Sequence, residues 1–225
     1  MRWPVQGPFR RGQLLRLPGT DKPSAIDKQL APGEVWLDRD GLQGDRVADR
    51  RFHGGPDRSL CHYPVEHYRQ WRDMYPHLHS FGPAAFGENL STRGLDERQV
   101  CIGDRLRWGD ALIEVSQPRS PCSNLDRRHG ARGLARQLAR SGRTGWLYRT
   151  LEPGIIHAGA ELQLLERPCP SASVLRVWRS FIDDAVSEDD LAWLQDLQPL
   201  ANEYRMRFRQ RLDAKRRLQD QGALF

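Results

Sequence analysis

The chain has 225 residues, 38% of them hydrophobic, enough for one sizeable core or one core with a small appendage. Its formal net charge is +6, arginine far outnumbers lysine, and the mean hydropathy is −0.71. No apolar stretch approaches the roughly 20 residues that a membrane helix needs, and no repeat or low-complexity run is present, so membrane-spanning and fibrous classes are set aside.

Residues 1 to about 167 read as short strands punctuated by turns. Val35-Trp36-Leu37 is an extended run ahead of the turn-rich Asp40-Gly41-Leu42-Gln43-Gly44-Asp45. A helix is expected from about Val65 to Met74. The clearest hairpin joins Arg105-Leu106-Arg107-Trp108 through Gly109-Asp110 to the run Ala111 to Ser116, two alternating stretches around a two-residue turn. A second helix is expected from about Ala131 to Arg140. Another hairpin is expected around Glu152-Pro153-Gly154, between Trp146-Leu147-Tyr148 and Leu162-Gln163-Leu164-Leu165. After Pro168 and Pro170 the pattern turns helical. One helix is expected from about Ser173 to Phe181. The next starts at Ser187, with Asp190 placed as in a capping box and Leu191, Leu194 and Leu197 at helical spacing. Pro199 separates it from an arginine-rich third helix, about Ala201 to Leu218.

The fold class expected is therefore mainly β with helices (α+β). A β-barrel-like domain occupies residues 1–167, with its core at about 22–166, and a three-helix module occupies 168–225. That module is too short to be very stable without packing on the main domain.

A basic balance suits either nucleic acid or an anionic small molecule. The third helix carries Arg205, Arg207, Arg209, Arg211, Arg216 and Arg217, partly at a spacing of two, so they do not share one face. Nucleic acid is not expected as a partner, while docking to an acidic protein stays open. The cysteines are Cys61, Cys101, Cys122 and Cys169, with no C-x-x-C pair, and the N-terminal MRWPVQGPFRRGQ has no apolar core of a secretory signal. Free thiols in the cytoplasm are expected. Cys61 and Cys101 lie in apolar-leaning runs and read as buried strand residues.

Chemistry concentrates in three stretches. In Phe52-His53-Gly54-Gly55-Pro56-Asp57-Arg58, paired glycines let a backbone approach a ligand, flanked by His53 and Arg58. Phe86-Gly87-Glu88-Asn89-Leu90 is a weaker signal. Ser116-Gln117-Pro118-Arg119-Ser120-Pro121-Cys122 follows a strand, is stiffened by two prolines, and sets Arg119 near a thiol whose thiolate is both nucleophile and soft metal ligand.

Together with Lys22-Pro23-Ser24-Ala25-Ile26, Gly41-Leu42-Gln43-Gly44-Asp45 and Ile102-Gly103-Asp104, these stretches resemble the MOSC domain family, in its branch that carries a C-terminal three-helix "3-alpha" domain. The resemblance implies a β-rich fold that binds molybdopterin-type molybdenum cofactor, with Cys122 as the protein's ligand to molybdenum. It also implies reduction of N-hydroxylated compounds, including base analogues such as 6-N-hydroxylaminopurine, in the sense of detoxification. Electrons would come from a separate NAD(P)H-dependent flavin or iron–sulfur reductase, since no GxGxxG or P-loop is present.

The cofactor-binding set expected is Lys22, Ser24, His53, Gly54, Gly55, Asn89, Arg119 and Ser120, and the catalytic set is Cys122, His53, Glu88 and Asp57. Which of His53, Asp57 and Glu88 relays protons is left open. Two other classes compete: a sulfur carrier holding a persulfide on Cys122 without a metal, and a nucleic-acid- or partner-binding module built on the basic third helix.

Overall fold

The computed structural model describes residues 1–7, 9–31 and 33–222. Its strands are β1 (Arg2–Pro4), β2 (Arg10–Gly12), β3 (Leu15–Arg16), β4 (Pro23–Ser24), β5 (Lys28–Leu30), β6 (Glu34–Asp38), β7 (Gly41–Leu42), β8 (Leu60–His62), β9 (Arg105–Trp108), β10 (Ala111–Pro118), β11 (Trp146–Glu152), β12 (Gly154–His157) and β13 (Glu161–Glu166). Its helices are α1 (Arg50–His53), α2 (Glu66–Met74), α3 (Asn124–His129), α4 (Leu134–Ser141), α5 (Val174–Ile182), α6 (Glu188–Gln195) and α7 (Asn202–Gly222). The fold is α+β, as expected.

A six-stranded sheet in the order β1-β13-β9-β10-β11-β8 forms the frame. A three-stranded sheet, β12-β6-β7, and two small ribbons, β2-β5 and β3-β4, complete the β layer. The β9–β10 hairpin forms as the alternation predicts, with Ala111 opposite Trp108 and Ile113 opposite Leu106. Its turn requires glycine twice over: Gly109 has φ +58°, and a Cβ there would lie 2.6 Å from the Ile155 carbonyl oxygen.

The expected hairpin through Glu152-Pro153-Gly154 does not form. Strand β11 ends at Glu152, and Pro153 has no N–H with which to continue the ladder. The chain leaves the sheet there, and Gly154–His157 pairs with β6 instead. Leu162 to Leu165 lies in β13, between β1 and β9 rather than beside β11. The helix expected from Ala131 begins three residues later, at Leu134. A separate helix, α3, precedes it and is stopped by Gly130, whose left-handed φ of +63° caps its C-terminus. Cys61 lies in β8 but is half-buried; Cys101 is buried, yet it makes only an isolated bridge to Ser173.

The tail helices fall where expected. Ser187 Oγ caps α6 by accepting the Asp190 N–H at 3.1 Å. The tail does not keep a core of its own. Val174, Val177, Leu191, Leu194, Leu200, Tyr204, Phe208 and Leu212 belong to the same hydrophobic cluster as Leu106, Trp108, Ile113, Val115 and Tyr148 of the sheet. A second, aromatic-rich cluster of Tyr63, Tyr68, Trp71, Phe81 and Phe86 lies against α3 and α4 through Leu125, Leu134 and Leu138. The arginines of α7 do not share one face: half-buried Arg211 caps α5 by donating to the Ser180 and Phe181 carbonyls at 2.7 and 3.1 Å.

Candidate functional site

Cys122 sits between the end of β10 and the start of α3. Beyond Pro118, the Arg119 N–H still donates to the Gly145 carbonyl at 3.1 Å, which fixes the direction of the loop. Gly145 has φ +71°, and a Cβ there would meet the His62 carbonyl oxygen at 2.2 Å, so the contact depends on glycine. The Cys122 carbonyl accepts the Leu125 N–H at 3.1 Å and opens the helix.

The half-buried thiol is set apart from the other three. Burial pushes it up, but a hydrogen bond from His53, the Arg119 guanidinium, the charge of His53 and the Asn124 backbone N–H together bring it below the ordinary thiol value. Burial pushes Cys61 up to about 11 and also raises Cys101 and Cys169. Of the four thiols, only Cys122 is drawn toward the thiolate.

Arg119 is buried. Its Nη2 donates to the Phe86 carbonyl at 2.5 Å, while its Nη1 is buried with no hydrogen-bond partner. A guanidinium N–H left unpaired in a protein interior is costly, and an anionic oxygen would satisfy it. The segment that holds Arg119 in place is built around Glu88, which is fully buried. The Tyr68 hydroxyl and the Ala84 N–H donate to Glu88 Oε1, and the Phe86 N–H donates to Oε2 at 3.0 Å. Asn89 beside it is equally committed: Oδ1 accepts the Cys61 N–H at 2.9 Å, and Nδ2 donates to the Arg10 carbonyl at 3.0 Å and to Asp45 at 2.8 Å.

His53 ends α1, the short helix capped by Asp49, whose carboxylate accepts the Arg51 N–H at 3.0 Å. Gly54 closes the helix with an N–H to the Arg50 carbonyl at 3.2 Å. Gly55 follows with φ +102°, and nothing lies within 4 Å of the place its Cβ would occupy. This backbone faces open space. Pro56, Asp57 and Arg58 then form one 3-10 turn. Asp57 accepts from Arg149 Nε and Nη2 at 2.8 and 2.7 Å, and Arg149 also reaches Glu114 at 2.7 Å.

The structure therefore brings Cys122, His53 and Arg119 together, with Gly54 and Gly55 adjoining. It gives Glu88, Asn89 and Asp57 other work. Glu88 is sealed away from solvent by three donors, Asn89 is hydrogen-bonded to Cys61, Arg10 and Asp45, and Asp57 is tied into an ion-pair network. Each of these side chains is engaged by partners within the protein. Ser120 is exposed on the Cys122 loop. Lys22 is exposed and Ser24 buried on the β3–β4 ribbon, and no hydrogen bond or ion pair among the described residues joins them to that loop. The ribbon does run close by: a Cβ on Gly87 would lie 2.7 Å from Ile26 Cγ1, next to the carbonyl that holds Arg119.

The sequence reading passed over Lys28 and Asp45 as site residues. They form a half-buried ion pair at 2.5 Å beside this segment, and Asp45 also accepts the Gly12 N–H at 2.6 Å and the Asn89 amide. The partners are far apart in sequence, and only Gly44-Asp45 within a turn hinted at the pair.

Residues 49–163 match the MOSC domain family, and the chain belongs to it. Among curated proteins it is 47% identical over 168 residues to Protein YiiM of Escherichia coli (strain K12), which covers 74% of each chain. It is 39% identical over 175 residues to a protein named Reductase from Gibberella moniliformis, covering 77% of this chain and 30% of that one. Among solved structures, that of YiiM from Escherichia coli superposes with a TM-score of 0.80 at 35% identity, covering 96% of this chain and 94% of the other. A crystal structure described as that of a hypothetical protein gives a TM-score of 0.83 at 36% identity, covering 96% and 91%.

MOSC domains bind molybdenum cofactor, and the residues here fit such a group. Cys122 offers a thiol drawn toward the thiolate, Arg119 an unpaired buried N–H for an anionic oxygen, and Gly55 an open backbone. Among the described residues no group of three or more His, Cys, Asp or Glu side chains could hold a metal by itself. Cys122 suits a metal whose other ligands arrive with a cofactor.

Proposed function

We propose that the chain is a molybdenum-cofactor-dependent reductase that converts small N-hydroxylated compounds, base analogues such as 6-N-hydroxylaminopurine among them, to amines. The observation that carries the reading is the pairing of a thiolate-favouring Cys122 with a buried Arg119 whose Nη1 lacks a partner. Membership of the MOSC family and the relative named Reductase support it.

The reaction is R–NH–OH plus two electrons and two protons, giving R–NH₂ and water. When bound, the cofactor would supply the two-electron redox chemistry. The chain's own residues bind, orient and shuttle protons. Cys122 would hold the metal, and Arg119 with the Gly55 backbone would hold the cofactor's anionic end. His53, exposed and near enough to the thiol to lower its pKa, is the titratable side chain we assign to hand a proton to the departing oxygen. Electrons come from a separate NAD(P)H-dependent flavin or iron–sulfur protein, and the setting is cytoplasmic. No helix among the described residues is long and apolar enough to cross a membrane.

The test is reduction of 6-N-hydroxylaminopurine by enzyme purified from a cofactor-competent host, with an artificial electron donor. Cys122→Ser should abolish turnover and leave the thermal transition in place. Full turnover in that variant would rule the mechanism out.

A further inference from the structure

Cys122, Arg119 and the His53 to Arg58 segment all lie before residue 123, yet the tail reaches the elements that carry them. The Ala201 N–H donates to the Ser116 carbonyl at 2.9 Å, and the buried Tyr204 hydroxyl donates to the Pro118 carbonyl at 3.0 Å. Both acceptors belong to the end of β10 that carries Arg119 and Cys122. Burial keeps the Tyr204 phenol protonated and therefore a donor.

The same corner of the tail also grips the other half of the site. Glu203 pairs with Arg58, and the Pro199 carbonyl accepts from Arg149 at 3.0 Å while Arg149 holds Asp57. Ser116 closes the ring, its hydroxyl donating to the Asp57 carbonyl at 2.6 Å. Pro199 itself is wedged against Gly103, where a Cβ would come within 2.9 Å of it.

We propose that the α6–α7 corner is a positioning device for this site, in which Tyr204 and Glu203 keep the Cys122 loop and the His53 to Arg58 segment in register. Cys122 and His53 sit on segments far apart in sequence, and their contact depends on how those segments are held. The corner touches both at once. Tyr204 and Glu203 are positioning residues: they act through Pro118 and Arg58, not on substrate. The inference rests on the proposed function only for its molybdenum readout.

The experiment uses the full chain with Tyr204→Phe, alone and combined with Glu203→Gln. Tyr204→Phe keeps the ring that packs on Phe181 at 4.4 Å between centroids. Arg211→Gln is the control, because it loosens the α5–α7 packing without touching β10 or the 53–58 segment.

Protein from a cofactor-deficient host is alkylated with iodoacetamide, and Cys122 modification is followed by mass spectrometry across pH. Tyr204→Phe and the double variant should slow Cys122 at neutral pH by about threefold or more and move its profile to higher pH, because the thiolate is the nucleophile. Arg211→Gln should lower the thermal midpoint and leave that profile in place. An unchanged Cys122 profile in the double variant overturns the proposal, and so does an equal displacement in Arg211→Gln. Molybdenum content from a competent host should fall in the same order. Wild-type protein without molybdenum would remove the proposed cofactor role and leave the alkylation result standing for the positioning role.

Discussion

Arg119 shows how one side chain joins fold and chemistry. Its Nη2 is anchored on the Phe86 carbonyl, while Nη1 is buried without a partner. Arg119→Ala should lower pterin retention after purification. Arg119→Lys should restore little of it, because an ammonium cannot hold the carbonyl and an anion with one planar fork. Pterin occupancy equal to wild type in the alanine variant would reject the assignment. Glu88 makes the opposite point. Its carboxylate receives two backbone N–H groups and the Tyr68 hydroxyl, so Glu88→Gln turns an amide N–H₂ against a donor. The expected loss is about 2–4 kcal/mol in urea unfolding, with turnover per folded molecule retained. A variant of wild-type stability that has lost turnover would return Glu88 to a catalytic role.

At the level of elements, what the sequence showed was local. The β9–β10 hairpin was legible because Gly109-Asp110 sits between alternating runs, and α6 because Ser187 announces its cap. The partner of β13 was not legible, since pairing with β1 and β9 depends on distant residues. Pro153-Gly154 reads the same whether the chain folds back or crosses to another sheet. In the site, Cys122 and Arg119 stood out through the flanking prolines, whereas the contact with His53 and the sealing of Glu88 are products of tertiary packing. Gly145 tests the junction that aims the loop. Gly145→Ala must place a Cβ against the His62 carbonyl at a positive φ, and should cost about 2–3 kcal/mol in chemical denaturation. A neutral result would show that the Arg119 to Gly145 contact can shift without loss.

For the molecule as a whole, the shared core changes what the tail means. Cutting the chain after Glu166 strips Val174, Val177, Leu200, Tyr204 and Phe208 from the cluster that also holds the sheet. The shortened chain should lose its cooperative thermal transition. A folded fragment of native stability would restore the modular reading. Stability should also depend on pH through His62, which is buried between Tyr148 and Thr92 at 3.0 Å from each. Burial lowers its pKa from 6.5 to about 3, so between these values the unfolded chain takes up a proton that the folded chain refuses. Its contribution is complete above the higher value and declines as pH falls, by about 2 kcal/mol from about pH 7 to about pH 5. His62→Gln should flatten that part of the pH profile; an unchanged slope would place its origin elsewhere. The central claim is that Cys122 and its neighbours hold a molybdenum cofactor, and metal and pterin analysis of the full chain from a cofactor-competent host tests it most directly. The expected result is near-stoichiometric molybdenum and pterin in the wild type, with molybdenum lost in Cys122→Ser. Folded wild-type protein without molybdenum, or a serine variant that retains all of it, would contradict the claim.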